Sequence, residues 1–217
     1  MNGSMFVRQL REELSPQVER ITHHPFVEDV RRGQLPRQTL RVFVEQEYHY
    51  VAHIYDYFAL SILRTPDREG KEFFITMARR EVEYIGLFLT FARALGLEQI
   101  DLEASHPLAG AMAAPNYLFH LAAGGAPEEN MTAFFVIEDV WISVCRTLYD
   151  GLKRHYGFPD ETLEAYHIPA VDFQTEERLI DRHTQTEEAR SRARRAARLA
   201  LEYEAQFFDA VYPSEEM

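Results

Sequence analysis

One cysteine, Cys145, stands in 217 residues. That excludes an intramolecular disulfide and any zinc site built on paired cysteines. No apolar run approaches the roughly 18–20 residues of a membrane-spanning helix. The opening MNGSMFVRQLREEL also lacks the apolar core of a signal peptide, so the expectation is a cytoplasmic protein with no membrane partner. Basic residues are the scarcer charge, 23 Lys and Arg against 35 Asp and Glu for a formal net charge of −12. A nucleic-acid binder would show a basic excess or stripe, so nucleic acid is excluded as a partner. Low-complexity linkers, internal repeats and alternating strand patterns are missing too. What remains is 46% hydrophobic and 27% charged, the composition of an ordinary globular chain with enough length for a full core in one domain spanning 1–217.

Helical periodicity runs through the sequence. It predicts helices at 5–21, 25–33, 36–63, 68–95, 106–123, 127–156, 159–183 and 186–212, separated by RGQLP, RTPDREG, LGLEQ, AGGAP and YGFPD, where Gly and Pro stop helices. The basic run RSRARRAARLALE reads as a solvated helix face, because Glu187, Glu188, Glu202 and Glu204 accompany it. The fold class is all-α.

Four of these helices carry a carboxylate where an apolar residue belongs. Residues three and four apart share a helix face. Glu47 therefore falls among Phe43, Tyr50, Val51, Ile54 and Phe58. Glu138 sits centrally among Met131, Phe134, Phe135, Trp141, Ile142 and Cys145, with Asp139 about 100° further round. Glu204 lies within Ala197, Ala200, Leu201, Phe207, Phe208 and Val211, and Glu81 within Phe74, Met77, Ala78, Ile85 and Phe88. For any one of them, a core-edge carboxylate paired with an arginine or tyrosine is the plainer reading. Four on four helices point to a site, since a carboxylate out of water needs a partner, a proton or a task.

Two chemistries use such a set. A dimetal centre in a helical core wants Glu together with histidines at helical spacing. A metal-free pocket for a polar heterocycle uses separate carboxylates to anchor ring nitrogens and move protons. The histidines favour the second. His53, six residues after Glu47, is about 120° off its face, His167 and His183 have no second histidine in register, and Phe88 stands two turns after Glu81. His23, His24, His106 and His155 read as loop or surface residues. Tyr50, Tyr117, Phe119, Trp141 and Tyr166 provide ring and hydroxyl surfaces for a planar ligand, although core packing accounts for each of them singly.

The segment HHPFVEDVRRGQLPRQTLRVFVEQEYHYVAHIYDYFAL resembles the opening of the TenA family, the thiaminase II and aminopyrimidine aminohydrolase proteins. FARALGL, NYLFH, FFVIEDVW and TEEARSRARRAARLALEYEAQFFDAVY extend the likeness over nearly the whole chain. The resemblance implies a haem-oxygenase-like bundle of seven to eight helices, a homodimer or homotetramer, and no cofactor. Matched residue by residue, it implies that Glu47 and Tyr50 hold an aminopyrimidine, with Tyr117 and Tyr166 completing the pocket beside the ring surface of Trp141 read above, and that Glu204 serves the leaving group. Thiaminase II has a nucleophilic cysteine in the turn where Glu138 and Asp139 stand here, as in the cysteine-lacking branch. The implied function is hydrolysis of an aminomethyl- or formylaminomethyl-pyrimidine in thiamin salvage, with Glu138, helped by Asp139, activating water. A dimetal oxidase on the same fold, with Glu81, Glu138, His167 and Asp172 as ligands, is the rival. A non-catalytic pyrimidine-binding protein is the third reading.

Overall fold

A computed structural model describes residues 5–212, so the MNGS opening lies outside the described residues. Among these residues there is no strand. The elements are α1 (Met5–Thr22), α2 (Pro25–Arg32), α3 (Arg37–Arg64), α4 (Arg68–Ala94), α5 (Gln99–Ala104), α6 (Ala113–Gly124), α7 (Pro127–Gly151), α8 (Gln174–His183) and α9 (Glu187–Val211). A π-helical turn (Leu152–Tyr156) extends α7, and two 3-10 turns (Asp160–Thr162 and Glu164–Tyr166) follow it. No helix among the described residues is long and apolar enough to cross a membrane.

Local chemistry explains the boundaries. Asp67 and Thr186 cap α4 and α9 by accepting from the amides of Gly70 and Ala189 at 2.9 and 3.2 Å. Gly33 closes α2 in the left-handed region, φ 70°, with its amide donating to the Val30 carbonyl at 3.1 Å. Pro16 lies inside α1 and has no N–H for the Glu12 carbonyl; the Ser15 hydroxyl donates to that carbonyl at 3.1 Å instead.

Two predicted helices are shorter than their periodicity suggested. The stretch 106–123 is helical only from Ala113. Pro107 disfavours helical backbone at His106, and the buried Gln46 of α3 takes over the loop's polar groups. Its amide donates to the His106 carbonyl at 3.1 Å and its carbonyl accepts from the Leu108 N–H at 2.7 Å. The stretch 159–183 breaks into the two 3-10 turns, an irregular connector and α8. Pro169 again removes a donor and restricts its predecessor, and Asp172 accepts from the Gln174 amide at 3.1 Å as α8 begins.

α7 and α9 pack along each other as the central pair, α3 lies against α4, and α6 bridges α3 and α9. α1 covers α9 and α7, α2 and α8 pack on α7, and the second 3-10 turn rests on α4. One buried cluster draws on all of these layers, including Phe26, Phe43, Phe74, Phe91, Phe135 and Phe208. His24, read as a loop or surface residue, is buried: its Nδ1 accepts from the Phe26 amide, and its ring packs on Phe208 at 5.7 Å. A helix start placed over the core turned a loop histidine into a buried cap.

Candidate active site

The four stripe-centred carboxylates converge on one cavity of about 840 Å³ between α3, α4, α7, α8 and α9. Glu47, Glu81, Glu138 and Glu204 all line it. Each helix turned its apolar stripe toward the common core, so a carboxylate centred in each stripe was carried to the same interior space.

Two of the four are held by phenols. Glu47, 4% exposed, accepts from Tyr84 Oη through Oε1 and from Tyr166 Oη through Oε2, the latter at 3.0 Å. Burial pushes the Glu47 carboxyl up to about 8, the two phenols pull it down, and the nearby Glu204 adds to the rise. Glu204, 3% exposed, accepts from Tyr50 Oη at 3.1 Å; burial raises it to about 7 against the pull of that bond. Burial also raises Glu81 to about 8, with Glu138 and Glu47 contributing, and Glu138 to about 7, where Arg80 opposes the rise and Glu176 and Asp139 add to it. All four can hold or release a proton near neutrality, the range in which general acids and bases work. Trp141 lines the cavity, stacked on Phe43 at 6.5 Å and edge-on to Tyr166 at 6.4 Å.

A profile of the TENA/THI-4/PQQC family matches residues 11–214. The chain belongs to that family. Over 123 residues it is 30% identical to a protein of Halalkalibacterium halodurans named aminopyrimidine aminohydrolase; the match covers 56% of this chain and 54% of that one, so the chain spans about half the length of this relative. A solved TenA homologue from Pseudomonas syringae pv. tomato superposes with a TM-score of 0.83 at 16% identity, covering 96% of this chain and 93% of its own. A domain from Shewanella denitrificans described as having a heme oxygenase-like fold superposes with a TM-score of 0.80 at 17% identity, covering 94% and 91%. The haem-oxygenase-like all-α architecture is the fold of this chain.

Not every residue matched to the TenA family reaches the cavity. Tyr117 does not line it: its ring packs against Tyr203 at 5.1 Å, and Leu118 faces inward instead. Asp139 turns outward and pairs with Arg11 of α1 at 2.9 Å, its side chain 36% exposed. In both cases one step along a helix is a 100° rotation, which separates Asp139 from Glu138 by a whole face. Cys145 is fully buried, and burial pushes its thiol well up, the opposite of what a nucleophilic thiolate needs. Among the described residues no three His, Cys, Asp or Glu side chains converge as a metal-holding group. The alternative ligands Glu81, Glu138, His167 and Asp172 line one cavity without closing on a common point.

Tyr84 was not among the predicted site residues. It lies three positions after Glu81, so the same helical spacing that exposed Glu81 could have revealed it. Glu176 and Arg80 also line the cavity. Glu176 could not have been placed from the sequence, because the connector before α8 decides which face of that helix turns inward.

Proposed function

We propose that this protein hydrolyses the exocyclic C–N bond of an aminopyrimidine, with an aminomethyl or formylaminomethyl arm as the reacting group, in thiamin salvage. The observation that carries the proposal is the asymmetric pair inside one cavity: Glu47 clamped by two phenols and Glu204 held by one. A carboxyl fixed through both oxygens is suited to hold a ring, and one poised near 7 with an oxygen to spare is suited to donate a proton. The name of the Halalkalibacterium halodurans relative is consistent with this reading.

In this reading the Glu47 carboxyl pairs with the ring's amidine edge and shares its proton with a ring nitrogen, while Trp141 supplies an aromatic surface. Glu138 takes a proton from water, whose oxygen bonds to the exocyclic methylene carbon. The C–N bond breaks, and its electron pair takes the Glu204 proton, releasing ammonia or formamide. Tyr50 fixes the Glu204 carboxyl, and Tyr166 with Tyr84 fixes Glu47. Asp139 and Tyr117 have no part, because neither reaches the cavity.

Incubation with aminomethylpyrimidine, formylaminomethylpyrimidine and thiamin tests the proposal. The expected products are a hydroxymethylpyrimidine with ammonia or formamide, undiminished after dialysis against a chelator. Turnover that disappears with chelation and returns with iron or manganese would favour the oxidase instead.

A further inference from the structure

The side of α4 that points away from the cavity is not the polar face that a solvated helix carries. Val82 and Gly86 follow Ile75 by seven and eleven residues, which puts them within about 20° of its direction. Tyr84, nine residues after Ile75, points the opposite way into the site. Ile75 is 44% exposed and Val82 62%, and the half-buried Ala78 and Leu89 border them. Glycine in a helix interior is less stable than alanine, and nothing in this chain calls for it here: a Cβ at Gly86 would meet no atom within 4 Å. A side chain missing from an exposed apolar face is what the close approach of another backbone requires.

The charges beside this face are unsatisfied within the chain. Arg79 and Glu83 stand on one flank of it, a turn apart, and neither forms a hydrogen bond or ion pair among the described residues. The face also matches itself. A second copy lying antiparallel, with the two-fold axis at Val82, sets Ile75 against the partner's Leu89 and Ala78 against the partner's Gly86, at equal distances either side of the axis. Small residues then oppose each other where the backbones must come close. Like flanks meet in such a pair, so Arg79 and the partner's Glu83 lie two residues apart along the helix, about 3 Å and within an arginine's reach. Lys71 and the partner's Arg93 would carry like charge toward each other only eleven residues from the axis. A crossing of about 50° has separated the helices there, and Arg93 is paired with Glu98 at 3.8 Å.

We infer that the outward face of α4 docks a second copy of this chain, antiparallel about a two-fold axis at Val82, with Arg79 of each copy bound to Glu83 of the other. This interface reaches the cavity. Thr76, Glu83 and Leu87 are exposed on α4 and line the cavity, as the exposed Pro169 and Asp172 of the connector do on the other side, so the mouth opens between them. The partner's Arg79, bound to Glu83, stands at that mouth, and each cavity takes one rim residue from the other chain.

Sedimentation velocity and oxidative cross-linking of the full chain test this. Val82→Asp should halve the mass of the unaltered protein without changing its helical circular dichroism, because Val82 is exposed in its own chain. Arg79→Glu and Glu83→Arg should each weaken association by about tenfold, and the two together should restore it to within about threefold, since the exchange rebuilds the same pair with its signs reversed. Val82→Cys should give a covalent dimer under mild oxidation. Leu63→Cys of α3, at a position 71% exposed, should not. A mass of 25.3 kDa for the unaltered protein at micromolar concentration, or a mass unmoved by Val82→Asp, would overturn the inference. So would a double variant that associates no better than the single ones, or equal cross-linking at positions 63 and 82.

Discussion

Glu47 and Glu204 are both buried and both raised toward neutrality, yet their isosteric amides should fail differently. Glu47→Gln keeps the shape but cannot pass a proton to a ring nitrogen. It should weaken ring binding by about tenfold or more, the difference between an ionic and a neutral hydrogen bond. Glu204→Gln should leave ring binding nearly unchanged and lower kcat by about a hundredfold or more, because the proton it supplies is needed only as the C–N bond breaks. Steady-state kinetics and titration with a product analogue on both variants check the split, and equal losses in both parameters would show the roles wrongly assigned. Tyr84→Phe removes one of the donors that hold the Glu47 carboxyl down, so the midpoint of its titration should move upward. Ring affinity at pH 7 should fall by roughly three- to tenfold, read from affinity measured as a function of pH; an unchanged midpoint would remove Tyr84 from the site.

Packing of whole helices decides which of these side chains can meet. α7 carries Glu138 and Trp141 into the cavity, and its far end crosses α2 at Gly151. A Cβ there would lie 2.6 Å from the Val30 carbonyl oxygen. Gly151→Ala should therefore destabilise the fold by about 1–3 kcal/mol, the usual cost of overpacking between rigid elements, as read from a denaturant midpoint. A neutral result would mean that α2 can move aside. The basic run of α9 also acts at this scale. It read as a solvated face, but Arg192 binds Glu128 of α7 at 2.6 Å and Arg194 binds Glu13 of α1 at 3.1 Å. The charges that keep this face polar also orient α9, and with it Glu204, against its two neighbours.

The protein as a whole should lose stability as the pH rises through neutrality. In the unfolded chain the cavity carboxyls ionise near their ordinary value of 4.5, whereas in the fold Glu47 and Glu81 hold their protons to about 8 and Glu138 and Glu204 to about 7. Between those limits the folded state binds more protons, so the contribution of these groups is fully present below about 4.5 and is lost as pH rises through 7 to 8. Thermal midpoints should fall by several degrees from pH 5.5 to pH 8.5, and the fall should be shallower in Glu81→Gln, whose buried amide cannot ionise. A flat profile in the unaltered protein would contradict the burial of these carboxyls. We also propose that the chain is a homodimer or homotetramer, as the likeness to the TenA family leads us to expect. Light scattering at micromolar concentration that returned the 25.3 kDa of one chain would refute this.

What the sequence alone determined was set by short-range periodicity. The all-α class, the placing of Glu47, Glu81, Glu138 and Glu204 on apolar stripes, and the ordered motifs of the TENA/THI-4/PQQC family could all be read along the chain, because a stripe's facing depends only on residues a turn or two apart. Tertiary structure decided which partners those carboxylates found. Tyr84 and Tyr166 close on Glu47 from residues 37 and 119 positions away, and Tyr50 reaches Glu204 across 154. Asp139 and Tyr117 turned away from the cavity because a single residue is 100° of helix. The helices expected over 106–123 and 159–183 began only at Ala113 and Gln174, because Pro107 and Pro169 disfavour helical backbone at the residues before them and the long-range partner Gln46 takes over the polar groups of His106 and Leu108. A helix face is a local property, but the hydrogen bond that completes a buried carboxylate belongs to whichever helix the fold brings across from it.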